Sequence, residues 1–199
     1  GGYYYFENLA EGRSESSLED LTLTYFALQG RGEPIRLFMN YHNLPYSEKL
    51  MSIDEWKEIK GSNAEKKFMF GQLPHLQNGD QSIVQMNAIL AHLDRQVRAK
   101  NHIVFGEKEI QLQEQIAYGI EDLRKKFTTL AYGSPDGLDD FLTGLPKSLN
   151  YFEQILVNNG GFYGKGNYLV GDDLTYVDIA LWDVLDKITN PKIAPSILD

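Results

Sequence analysis

Apolar and β-branched residues alternate over Leu21–Phe26 (LTLTYF) at the spacing of a strand. Gly30 and Gly32 then permit a tight turn. Pro34 suits a first helical turn because it has no N–H to leave unpaired there. Ile35, Leu37, Phe38 and Tyr41 give the helix that follows an apolar face. "NLPYSEKLMS" reads as a turn and a second strand, and "DEWKEIKGSNAEKKF" as a polar loop holding a short helix. Short strands around His75–Gln77 and Ser82–Val84 flank Asn78-Gly79, a strong hairpin-turn dipeptide. Met86, Ile89, Leu90 and Leu93 then recur at i, i+3, i+4 and i+7, the stripe of an amphipathic helix. The order is β-α-β, loop, β-β-α.

Past "VRAKNHIVFG", which has the look of a linker, strand signals nearly vanish. Ile116, Ile120, Leu123, Phe127 and Leu130 keep one face of a long helix apolar. "SPDG" reads as a turn, and Leu138–Val157 as a second helix bent near Gly144 and Pro146. "GGFYGKGNY" reads as a loop. A third helix opens at Thr175-x-x-Asp178, a pair able to satisfy free N–H groups reciprocally, with Val177, Leu181, Val184 and Ile188 as its buried stripe. The domain expectation is an arm over residues 1–20, a mixed α/β domain over 21–97, a linker over 98–107 and an all-helical domain over 108–199.

Composition removes several classes of function. The formal net charge of −9 argues against a general nucleic-acid binder, which needs a basic footprint. No apolar run is long enough to span a bilayer. With no cysteine, the chain has no disulfide, thiolate metal site or cysteine nucleophile of its own. His42, His75, His92 and His102 show no ligand spacing, so no metal is expected. "GRG" and "GKG" lack the spacing of a nucleotide loop.

"LTYFALQGRGEPIRLF", "FGQLPHLQNGD", "VQMNAILAHL", "GIEDLRKKF" and "GDDLTYVDIALWDVLD" follow one another in an order that resembles the cytosolic glutathione transferases, tyrosine type. The likeness is to the pi class, with sigma- and mu-like features. It implies a thioredoxin-like βαβ-ββα domain followed by an all-α domain. It also implies an enzyme that activates the thiol of glutathione as a thiolate for attack on small electrophiles, with detoxifying conjugation as the usual outcome. The phenol of Tyr25 would hold the sulfur as an anion, because a hydrogen bond to the charged form lowers a thiol pKa. Taken from the strand alone, Tyr25 reads better as a residue ending a strand with a wet hydroxyl; Arg31 and the other segments in register reverse that preference.

By the same resemblance, Arg31 lies across the turn at the glutathione site. Gln72, Leu73 and Pro74 match a segment whose proline is cis and whose leucine pairs with the cysteinyl backbone like an added strand. Trp56 and Lys60 match residues holding the glycine carboxylate, an indole N–H and an ammonium; a surface tryptophan and a solvated lysine is the other reading. Gln85 falls at the γ-glutamyl end, beside a helix N-terminus that favours a carboxylate. Phe26 and Tyr132 match walls of the electrophile pocket, and Phe70 the aromatic key to a partner subunit, which implies a homodimer. Glutathione enters as co-substrate, and no other cofactor is implied. A cytoplasmic location is what the family implies, and the acidic charge has already argued against a nucleic-acid partner.

Two positions depart from the pattern. Met86 stands where the family has a serine whose hydroxyl binds the γ-glutamyl carboxylate; a hydrogen bond to a charged group is worth about 1–3 kcal/mol. Tyr118 stands where a partner subunit supplies an aspartate to the ammonium. The chain also ends early for the family, at Asp199. These departures support an alternative: a catalytically weak or inactive transferase-like subunit that binds or builds a larger assembly.

Overall fold

The computed structural model describes residues 18, 20–133, 135–163 and 167–189, with backbone alone at 132, 135 and 159–163. Most of the expected N-terminal arm, the start of "SPDG", part of the "GGFYGKGNY" loop and the C-terminal end therefore lie outside the described residues. The chain divides into two compact units, Gly1–His102 and Ile103–Asp199.

In the first unit a four-stranded sheet runs in the order β2-β1-β3-β4, with β1 at Leu21–Phe26, β2 at Tyr46–Met51, β3 at His75–Asn78 and β4 at Gln81–Val84. β1 pairs parallel with β2 and antiparallel with β3, which pairs antiparallel with β4. The central β1 buries Leu21, Leu23, Thr24 and Tyr25, whereas edge strand β2 exposes most of its residues. That contrast is the usual one between a covered and an edge strand. Helix α1 (Glu33–Tyr41) follows the first turn, with Pro34 in its opening turn, and buries Ile35, Phe38 and Met39. Met39, and not Tyr41, completes its inner face: Tyr41 is exposed and Leu37 half-buried.

Helix α2 (Ile53–Ile59) starts in a capping box, Ser52 accepting from the Glu55 N–H while Glu55 accepts from the Ser52 N–H. The hairpin turn lies at Gly79-Asp80, one residue later than the dipeptide reading. Asn78 is instead the last residue of β3, buried and bonded through Nδ2 to His92 Nε2 at 3.0 Å. Helix α3 (Met86–Lys100) buries Met86, Ile89, Leu90 and Leu93 and packs against α1. It runs past residue 97 into the segment read as linker, because Arg98 is buried in an ion pair with Asp94.

The second unit is helical: α4 (Glu107–Tyr132), α5 (Leu138–Tyr163) and α6 (Tyr176–Thr189). α4 buries Ile116, Ile120, Leu123 and Phe127 and packs against α6, which buries Val177, Val184 and Ile188; Leu130 and Leu181 are half-buried. α5 extends into the segment read as a loop. Inside this unit Asp183 bonds both Arg124, at 2.7 Å, and Lys187, all three buried.

Candidate active site

The site is laid out by strand register. Thr24 pairs with His75, and His75 with Val84, so the next residues at this end of the sheet are Tyr25 on β1, Pro74 just before β3 and Gln85 just after β4. Phe26 and Met51 close β1 and β2 at the same edge. In an open α/β sheet the carboxyl ends of parallel strands are where ligands sit.

Tyr25 ends the buried part of β1 and is 7% exposed. The Gly30-Arg31-Gly32 turn wraps its ring. A Cβ at Gly32 would lie 2.4 Å from Tyr25 Cδ1, and one at Gly30 would lie 2.5 Å from Tyr25 Oη. Only glycine allows this approach, and Gly30 also has φ +40. The Arg31 N–H donates to Tyr25 Oη at 2.9 Å. Arg36 lies 5.8 Å from the ring centroid and donates to the carbonyls of Leu28 (3.0 Å) and Phe26 (3.4 Å), tying the turn to α1. Burial opposes the Arg36 charge, but its hydrogen bonds to Glu48 and Glu33 outweigh that and raise its pKa.

The Leu73–Pro74 bond is cis, Pro74 buried and Leu73 half-buried. Gln85 precedes α3 at φ 74, and its Nε2 donates to Gln72 Oε1 at 2.7 Å, joining two residues singled out from the sequence. Met86 turns its side chain into the core, 4% exposed. Trp56, half-buried on α2, meets Phe26 edge-on at 6.5 Å and Phe68 at 5.2 Å. Lys60 caps α2, its N–H donating to the Trp56 carbonyl at 3.0 Å, with its side chain exposed. Phe70 is 72% exposed at φ 63 and so does not pack within its own subunit. Tyr118 is also 72% exposed, on α4. The side chain of Tyr132 lies outside the described residues.

Sequence reasoning passed over Arg36, Phe68 and His75. Arg36 carried a signal, an i, i+3 pair with Glu33 at the start of α1; the other two had none. A groove of about 470 Å³ between α4 and α5 is lined, among the described residues, by Leu123, Leu130, Phe141 and Leu145 with Lys125 and Lys126 at hand, and by none of the candidate site residues. Among the described residues, no group of three or more His, Cys, Asp or Glu is placed to hold a metal ion, and no helix is long and apolar enough to cross a membrane.

A mixed sheet of thioredoxin-like order, a helical second unit and a tyrosine seated beside a cis-proline define a recognisable class. The model of "Glutathione S-transferase, N-terminal domain" matches residues 21–95, and that of "Glutathione S-transferase, C-terminal domain" residues 121–199. "Glutathione S-transferase P" of Pongo abelii is 33% identical over 181 residues, 89% of this chain and 80% of that protein. "Glutathione S-transferase 2" of Onchocerca volvulus is 36% identical over 168 residues, 82% and 74% of the two chains. Among solved structures, a pi-class glutathione S-transferase of Onchocerca volvulus superposes with a TM-score of 0.72 at 33% identity, covering 90% of this chain and 81% of that one. A protein described as monomeric Na-GST-3, from Necator americanus, gives 0.71 at 25% identity, covering 90% and 85%. The chain belongs to the glutathione S-transferase family.

Proposed function

We propose that the chain is a glutathione transferase that binds the tripeptide along the edge carrying Tyr25, Pro74 and Gln85, and activates its thiol as a thiolate. The observation that carries the reading is the seat of Tyr25. Because the Arg31 N–H donates to Oη, the phenol's own hydrogen is left to be given elsewhere. A hydroxyl that already accepts a hydrogen bond is the stronger donor for it. Donated to sulfur, that hydrogen stabilises the anion. The thiol proton leaves to solvent, the sulfur attacks an electrophilic carbon, and the leaving group departs with its electron pair.

The other roles belong to the same reading. The Leu73 backbone beside cis-Pro74 pairs with the cysteinyl residue. Gln72 and Gln85 flank the γ-glutamyl end, where the N–H of Met86 and the start of α3 favour its carboxylate. Trp56 and Lys60 take the glycine carboxylate, and Phe26 faces the electrophile. Phe70, exposed on a loop with positive φ, keys a homodimer. A cytoplasmic location, and no cofactor beyond glutathione as co-substrate, belong to this reading.

Retention on immobilised glutathione and conjugation of a chlorodinitrobenzene-type electrophile test it. Tyr25→Phe is expected to keep the retention and lose about 10²-fold in kcat, the scale of removing one pre-oriented donor to an anion. A second reading has its own observation: Met86 has become a core residue and Tyr118 offers no carboxylate. It is a transferase-like subunit whose catalysis is weak or lost. No saturable glutathione binding up to millimolar ligand would decide for it, as would a stable hetero-complex on native purification.

A further inference from the structure

His75 is 1% exposed, directly follows cis-Pro74 and is used nowhere in the mechanism above. Two sets of contacts converge on it. The first is a run of rings, each edge-on to the next. His75 meets Phe68 at 5.0 Å and 76°, Phe68 meets Trp56 at 5.2 Å and 84°, and Trp56 meets Phe26 at 6.5 Å and 85°. Edge-to-face pairs at these separations are favourable beyond the area they bury.

The second set is a polar bridge. His75 Nε2 lies 2.8 Å from Ser82 Oγ, and Ser82 Oγ donates to the Lys67 carbonyl at 3.1 Å. The serine has one hydrogen, spent on Lys67, so its oxygen accepts from Nε2–H. That fixes the tautomer: the hydrogen is on Nε2, and Nδ1 keeps a bare lone pair, with no hydrogen-bond partner among the described residues. Lys67 immediately precedes Phe68, which is the one buried residue between 61 and 70. The bridge therefore grips the loop backbone at the point from which its single anchoring ring departs.

We propose that His75 is a positioning residue for Trp56, holding the indole through Phe68 and through the Ser82–Lys67 bridge, and so placing the donor for the glycyl end of glutathione. The inference rests on the transferase reading for its ligand but not for its mechanics. The neutral ring is the form the site selects. Burial first, and the charge of Lys67 second, lower its pKa to about 4, so the tautomer persists across the working range of such an enzyme.

The test separates the two. Trp182, 55% exposed in the second unit, is replaced in Trp182→Phe, leaving Trp56 as the sole tryptophan of the chain's two. In that background His75→Leu is expected to lower the fluorescence anisotropy of Trp56 and to raise the KM for glutathione about tenfold. The KM for the electrophile and kcat at saturating glutathione should stay within about twofold. Ser82→Ala, a change at an exposed serine that leaves the core packed, should move both readouts the same way by about threefold. His75→Gln, which restores a donor to Ser82 without the ring, should recover part of the loss. Unchanged anisotropy and glutathione KM in folded Ser82→Ala and His75→Leu would overturn the proposal. So would a parallel change in both KM values and kcat, which marks general loosening. If the unmutated chain does not conjugate glutathione, the transferase reading fails; the anisotropy then still decides the coupling of His75 to Trp56.

Discussion

At Met86 two demands meet on one residue. As the first residue of α3 it offers a backbone N–H at a helix start, and its side chain fills the core at 4% exposure. A serine there reverses the balance. Losing the buried thioether chain is expected to cost about 2–4 kcal/mol of stability. A hydroxyl beside a bound carboxylate is expected to tighten glutathione binding about tenfold, the lower end of a hydrogen bond to a charged group. Met86→Ser should thus melt earlier and bind better, read by a thermal melt and a calorimetric titration on one preparation. Equal affinity in a folded variant would place the γ-glutamyl end elsewhere. The residue scale also marks the limit of what the sequence discloses. Gly30, Gly32 and Tyr25 stand out in it because a turn needs glycines and a strand has an end. That the turn would close on the ring, with the Arg31 N–H on the phenol oxygen, is a matter of distances no spacing encodes.

Elements are where the sequence is most legible, because period and caps are local. β1 and the stripe of α3 lie where alternation and the i, i+3, i+4, i+7 pattern put them. What escaped is set by distant partners. Arg124, Asp183 and Lys187 lie off the apolar stripes of their helices, and nothing local in the sequence marks them as buried together. The start of α6 shows a local motif finding a different geometry. Instead of accepting from the Asp178 N–H, the Thr175 hydroxyl donates to Asp178 Oδ2 at 2.7 Å. The same carboxylate accepts from the N–H of Thr175 and of Leu169, both at 2.8 Å. Burial raises the Asp178 pKa in spite of these bonds. One side chain thus ties the helix start to the segment before it. Asp178→Ala leaves two N–H groups unmet and should lower unfolding stability by about 2–4 kcal/mol. Asp178→Asn, with one acceptor oxygen left, should lose about half as much. Denaturant titrations with unchanged slope and shifted midpoint would show it; equal losses for the two variants would refute the two-acceptor account.

Acid bears on the stability of the fold through three histidines spread across the first unit. His42, His75 and His92 all have pKa values below the ordinary 6.5, with burial the leading cause in each and the charge of Arg95 adding to it at His92. The unfolded chain takes up protons at these positions as pH falls through 6.5. The folded chain refuses them until lower pH, about 4 at His75. More protons bound in the unfolded state means stability falls as pH falls, so it is complete above 6.5 and drains between there and 4. For His75 alone the loss is on the order of 3 kcal/mol. Asp178 works the other way: its raised pKa lets the folded state accept a proton before the unfolded one does, softening the lower end of the decline. Urea titrations from pH 7.5 down to about 4 should therefore show a steady fall beginning near the ordinary histidine pKa, where carboxylates still hold their charge. His75→Gln, starting from a lower stability, should flatten that fall by the largest single share. A stability that stays level down to pH 5 and breaks only in the carboxylate range would mean that the buried imidazoles are hydrated enough to ionise in place.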